Sequence, residues 1–258
     1  MNPAAGFLVG TLVGFTGVGG GALMTPILVL LFGVVPHTAV GTDLLMATIT
    51  KTVGSSVHWS RGAVDWQVVR RLWLGSLPAA AATLVFLHHA ETDSARLSAI
   101  ILPMLGVALL LTSLGVLFKP ALHRLGKHLR SHFTARFKRA QPALTVLAGA
   151  ILGVLVTLTS VGAGALGTVM LVYLYPFRMH ATKLVGTDIA HAVPLTLVAG
   201  LGHLALGNVD PALLAGLLAG SIPGIVLGAL LSHRVDPGWV TKGIAVTLAL
   251  IAAKLLLK

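Results

Sequence analysis

Six apolar stretches, at about 38–59, 66–87, 96–118, 183–203, 211–231 and 239–257, each approach the roughly 20 residues that a helix needs to cross the hydrocarbon core of a bilayer. Composition agrees, since the chain is 56% hydrophobic and 10% charged, where a soluble domain carries about a quarter charged residues. The sequence therefore reads as an all-α polytopic membrane protein, with room in its 258 residues for about eight to ten crossings. No cysteine is present, which excludes disulfides, thiolate metal sites and a cysteine nucleophile. The start, Met1-Asn2-Pro3-Ala4-Ala5, lacks the basic segment of a signal peptide, so no cleavage is expected.

The chain is internally duplicated. Thr16-Gly17-Val18-Gly19-Gly20-Gly21-Ala22-Leu23 aligns with Thr159-Ser160-Val161-Gly162-Ala163-Gly164-Ala165-Leu166 at an offset of 143. After a two-residue insertion the offset becomes 145. Val40-Gly41-Thr42-Asp43 then meets Val185-Gly186-Thr187-Asp188, His58 meets His203, Asp65 meets Asp210, and Gly75-Ser76-Leu77-Pro78 meets Gly220-Ser221-Ile222-Pro223. Two transmembrane repeats follow, 1–118 and 142–258, joined by a basic segment, 119–141. Seven of the eighteen basic residues fall in that segment with no acid among them, which marks a cytoplasmic loop and a short amphipathic helix on anionic lipid headgroups rather than a nucleic-acid surface.

Each repeat begins with a glycine-interrupted apolar segment (5–34 and 143–175); the arms on either side of Thr16 to Gly21, about ten to thirteen residues each, are too short to span singly. The segment is either one broken crossing or a re-entrant hairpin. With Lys51 left out because it lies inside a span, a hairpin makes the repeats inverted and puts fourteen basic residues inside and three outside, against twelve and five for parallel repeats, so the charge rule favours inversion. Inverted repeats with broken helices are the construction of secondary transporters, which hold substrate near the midplane.

Half-helices starting after Gly19-Gly20-Gly21 and Gly162-Ala163-Gly164 would aim backbone N–H groups at the protein centre, and such ends attract anions. With hydroxyls from Thr16, Thr25, Thr159 and Ser160 and the charge of Lys51, they make a candidate oxyanion site. Asp43 and Lys51, about 12 Å apart along one helix, are ionisable groups inside a span and so functional candidates. Asp43 and its counterpart Asp188 are candidates for coupling or gating, with helix capping as the competing role. His58, His191 and His203 are weighed as proton relays against polar core histidines. Gly162-Ala163-Gly164-Ala165-Leu166-Gly167 matches a dinucleotide fingerprint only formally, because no strand precedes it. Five histidines (His88, His89, His123, His128, His132) are expected in loops, and no metal-ligand spacing emerges; no cofactor is expected either. The stripes Gly6/Gly10/Gly14 and Gly216/Gly220/Gly224/Gly228 suit internal helix packing, with a homodimer surface as the other use.

The residues Gly17-Val18-Gly19-Gly20-Gly21, Pro26, Ala39-Val40-Gly41-Thr42-Asp43-Leu44, and the run from Lys51 through Gly54, His58, Gly62 and Val64-Asp65-Trp66 to Gly75-Ser76-Leu77-Pro78 resemble the sulfite exporter TauE/SafE family. The resemblance implies a permease of the cytoplasmic membrane that moves small sulfur-containing anions such as sulfite or organosulfonates, often outward. Relatives often carry serine where Asp43 and Asp188 stand, so a protonation or conformational role suits these aspartates better than direct ligation of the anion. The expected function is thus a secondary transporter, with protons as the candidate coupling ion, and not an enzyme. An anion channel is the nearest alternative; another solute, or an intramembrane enzyme or assembly factor, stands further off.

Overall fold

The computed structural model describes residues 6–11, 21–59, 64–90, 94–132, 134–231 and 237–257. Among the described residues every regular element is a helix. Helical residues 6–11 (α1) are followed by α2 (Gly21–Leu30), α3 (Pro36–Trp59), α4 (Trp66–Ala90), α5 (Ser94–Leu117), α6 (Lys119–His132), α7 (Thr134–Thr159), α8 (Ala165–Leu174), α9 (Ala181–Ala205), α10 (Pro211–Leu231) and α11 (Pro237–Leu256). Thr16, Gly19 and Gly20, and the side chains of Ser55 and His58, lie outside the described residues; Gly21 opens α2.

Helix boundaries follow local chemistry. The Asp65 carboxylate accepts the Val68 N–H at the start of α4, and the Asp210 carboxylate accepts those of Ala212 and Leu213, each at 2.9 Å, at the start of α10. Pro211 then stands at the first helical position, where its missing N–H costs nothing. Gly207 closes α9 at φ 73°, with Asn208 N–H bonded to His203 O and Gly207 N–H to Leu204 O, the pairing of a Schellman cap.

Two expectations are corrected. The second broken segment, expected to begin at 143, begins earlier: α7 runs 26 residues from Thr134, and its Phe137–Thr159 part alone is long and apolar enough to cross a membrane. The basic segment carries the short helix expected of it, α6, which follows α5 after Phe118 with α7 beginning at Thr134, so the histidines expected in loops are helical. His123, His128 and His132 therefore lie on α6, and His88 and His89 on the last turn of α4. Among the described residues, parts of α4, α5, α7, α9 and α10 meet the length and hydropathy of a membrane span. The 24-residue α3 has the length, but it carries Thr42, Asp43, Thr48, Thr50, Lys51 and Thr52.

Packing runs between the repeats more than within them. Helix α4 lies on α7, α3 on α9 and α5 on α11. At the α4–α7 seam a Cβ on Gly149 would strike the Leu72 carbonyl, and one on Gly153 the Ser76 carbonyl. The same geometry recurs between α1 and α10, where a Cβ on Gly6 would meet the Leu217 carbonyl at 2.7 Å and one on Gly10 the Ser221 carbonyl at 2.5 Å. Since Leu72 and Ser76 are the counterparts of Leu217 and Ser221, each repeat packs its α4-type helix on the other repeat's first helix. Gly6, Gly10 and Gly224 of the glycine stripes serve this internal contact, as small residues let backbones approach closely.

The equivalent helices α3 and α9 run antiparallel. Gly41 meets His203, Leu45 meets Gly200, and the Thr48 hydroxyl donates to that of Thr196 at 3.0 Å. Their ends are tied reciprocally: the Asp65 N–H donates to the Thr187 hydroxyl, and the Asp210 N–H to the Thr42 hydroxyl. Val40, Leu44, Ala80, Ile101, Val156, Ala163, Leu195 and Ala199 close the centre between these helices.

Candidate functional site

The chain breaks between α7 and α8. Ser160 adopts φ 59°, and Gly162 and Gly164 adopt φ 119° and 134°, conformations that glycine tolerates and that here re-aim the chain into the ten-residue half-helix α8. Part of the expected donor set is already engaged. Thr159 donates its hydroxyl proton to Leu155 O and accepts the Val161 N–H, while Gly167 and Thr168 N–H bond back to Gly162 and Gly164 carbonyls. The Ser160 hydroxyl is buried and, among the described residues, has no hydrogen-bond partner of normal geometry.

Lys51 reaches this break from the opposite repeat, its Nζ donating to the Ala163 carbonyl at 2.6 Å. Asp43 and Asp188, both buried, flank it within electrostatic reach. The Asp43 Oδ2 accepts the Thr25 hydroxyl of α2 at 2.6 Å, and its charge also feels Ser160. Asp188 lies against Gly167 so closely that a Cβ there would strike Oδ1. Among the described residues, the Oδ1 atoms of Asp43 and Asp188 are buried with no hydrogen-bond partner. One turn of each broken segment is thus faced by an aspartate, and Lys51 sits among them. An unpaired buried oxygen is costly unless a ligand, a proton or water meets it.

A residue counted in the sequence only for its charge also joins the site. Lys119, at the start of α6, acts electrostatically on Asp188. Burial holds its amine below the ordinary lysine value, with Asp188 opposing that shift. It stands two residues past the end of α5, and no spacing in the sequence signals its influence on Asp188. Ser76 was legible: it is repeated as Ser221, and its hydroxyl pairs with His191 Nε2 at 3.0 Å. The Trp73 indole donates to the His191 carbonyl, and His203 Nε2 pairs with the Thr157 carbonyl at 2.9 Å. Both histidines are thus fixed in the core by neutral partners.

At one end of the bundle Asp65 is gripped by Arg178, whose Nε and Nη2 take one carboxylate oxygen each, and by Lys183 at 3.4 Å. Burial would raise the Asp65 carboxyl, but the Arg178 hydrogen bonds and charge, with Lys183, outweigh it and hold it below 3.8. A depressed native value stabilises the fold above the unfolded carboxyl's value and loses that contribution as pH falls through the native one. Asp65→Asn should therefore cost about 1–2 kcal/mol at pH 7, a modest figure because Arg178 is 42% exposed. Thermal unfolding of the detergent-purified protein should show the gap between wild type and variant closing below pH 3.8. A gap that stays constant with pH would remove the ion pair as its cause.

Membrane-length helices wrapped around buried carboxyls, a lysine and a broken segment are the construction of a multi-pass membrane transporter. The sequence matches the sulfite exporter TauE/SafE family over residues 3–255, and the chain belongs to that family. It is 40% identical over 232 residues to the probable membrane transporter protein YjnA of Bacillus subtilis strain 168, a match covering 90% of this chain and 89% of the relative. Another probable membrane transporter protein of that strain, YdhB, is 25% identical over 223 residues, 86% of each chain. No solved structure matches significantly.

Proposed function

We propose that the protein exports a small oxyanion, such as sulfite or an organosulfonate, through the cytoplasmic membrane, with inverted repeats alternating around the site at the α7–α8 break. The observation that carries this reading is Lys51 of one repeat bonded to Ala163 in the break of the other, between Asp43 and Asp188. The name of the family supports the sulfur-anion class. Antiparallel contact of the equivalent helices α3 and α9 supports inversion, since a two-fold relating them lies across the helix axes.

Charge arithmetic supports proton coupling. With Lys51, Lys119, Asp43 and Asp188 all ionised the site sums to zero, so a monoanion leaves one uncompensated negative charge in a region where that is expensive. A proton taken by either aspartate restores neutrality, so anion and proton travel together. In proteoliposomes, radiolabelled sulfite should show saturable counterflow, inhibited by unlabelled sulfonate. An imposed gradient of one pH unit should drive up to about tenfold accumulation of a sulfonate at one proton per anion. A sulfonate stays anionic across this range, so the pH effect must come from the protein. Exchange that ignores the gradient would sink the coupling, and absence of exchange with any sulfur anion would sink the substrate class.

A further inference from the structure

Away from the central site, a cavity of about 70 Å³ opens where α6 meets α7 and the turn after α8, lined by Arg130, Gln141, Tyr175, Pro176, Phe177 and Arg178. Its positive charge is built in and held. Arg130 Nη1 donates to Gln141 Oε1 at 3.3 Å, and Gln141 in turn donates to the Leu174 carbonyl, so one guanidinium is positioned by a neutral amide. Arg178 stands over the Tyr175 ring at 5.9 Å, and Lys127 lies 5.9 Å from the centre of the Phe177 ring. Arg71 donates to the Tyr175 hydroxyl from the far side. Arg178 is itself held by the Asp65 carboxylate and, through Nη1, by Gln67 Oε1 at 2.9 Å, so it frames the cavity while Arg130 brings charge to it; among the described residues no carboxylate lines the cavity.

We infer that this cavity is a binding site for a phosphate group, supplied by the headgroup of an anionic phospholipid. Guanidinium groups match phosphate oxygens in geometry and charge. Basic pockets between helices at the cytoplasmic face hold anionic headgroups. Helix α6 supports the lipid source: its Gly126 packs on the Tyr173 backbone of α8, so the helix is anchored to the bundle while Arg124 and Lys127 remain exposed. The exposed Phe177 at the rim offers apolar contact to the glycerol and upper acyl region. This site is independent of the transported solute and stands whether or not the sulfur-anion reading does.

The test uses the full-length protein in neutral detergent, with thermal unfolding followed during titration of phosphatidylglycerol, phosphatidylcholine or inorganic phosphate. Phosphatidylglycerol should raise the midpoint saturably and phosphatidylcholine should not. Arg130→Gln should weaken the apparent affinity about tenfold, whereas Arg139→Gln, an equal loss of charge elsewhere on the basic segment, should leave it within about twofold. Native mass spectrometry of retained lipid gives the same comparison without reference to each variant's basal stability. Stabilisation by inorganic phosphate alone, lost equally in Arg130→Gln, would keep the phosphate site and make the free anion its ligand. Stabilisation by neither, or stabilisation that survives Arg130→Gln, would overturn the site.

Discussion

Replacing Lys51 by glutamine should lower counterflow roughly tenfold to a hundredfold while the protein still purifies as a folded species. A hydrogen bond to a charged group is worth about 1.5–3 kcal/mol, and each 1.4 kcal/mol is a factor of ten. Glutamine can still donate an N–H towards the Ala163 carbonyl, so it separates tether from charge. Lys51→Arg keeps the charge and should keep most of the exchange. If glutamine matches wild type while alanine fails, Lys51 is only a brace across the α7–α8 break. Wild-type exchange in both would take Lys51 out of the mechanism altogether.

The largest effect on stability is expected from a single methyl group. In Gly149→Ala the new Cβ falls on the Leu72 carbonyl, and backbone cannot swing aside as a side chain can. Overpacking of this kind costs about 1–3 kcal/mol or more, so the yield of monodisperse protein and its unfolding temperature should both drop sharply. Gly243 provides the matched control, since no atom lies within 4 Å of a Cβ built there. Gly243→Ala should be neutral or stabilising by up to about 1 kcal/mol through helix propensity. Equal behaviour of the two variants would mean that the α4–α7 contact is looser than its geometry implies.

These two positions differ in how far the sequence alone exposes them. Lys51 stands out because an ionisable group in an apolar helix has a cost that periodicity makes visible, and Asp43 and Asp188 stand out because duplication repeats them. The six long helices were likewise legible: α4, expected at 66–87, runs Trp66–Ala90, and α9, expected at 183–203, runs Ala181–Ala205. The start of α7, expected at 143, lies at Thr134 because the helix of the basic residues before Gln141 continues straight into the apolar run, where no change of periodicity marks its start. Lys119 and the Arg178–Asp65 grip were hidden for another reason. Their partners lie 69 and 113 residues away, and the sequence pattern does not report which helices exchange neighbours.

The exchanged first helices also set the order in which the molecule can be made. Helix α1 rests its glycines on α10, so the surface it needs leaves the ribosome roughly two hundred residues later, and α4 waits for α7. At about 5–20 residues per second, the earliest segment spends ten seconds or more in the bilayer with its glycine face against lipid or insertion machinery. Neither repeat is therefore a self-sufficient unit of biogenesis. The two halves become stable together, when the last partner arrives.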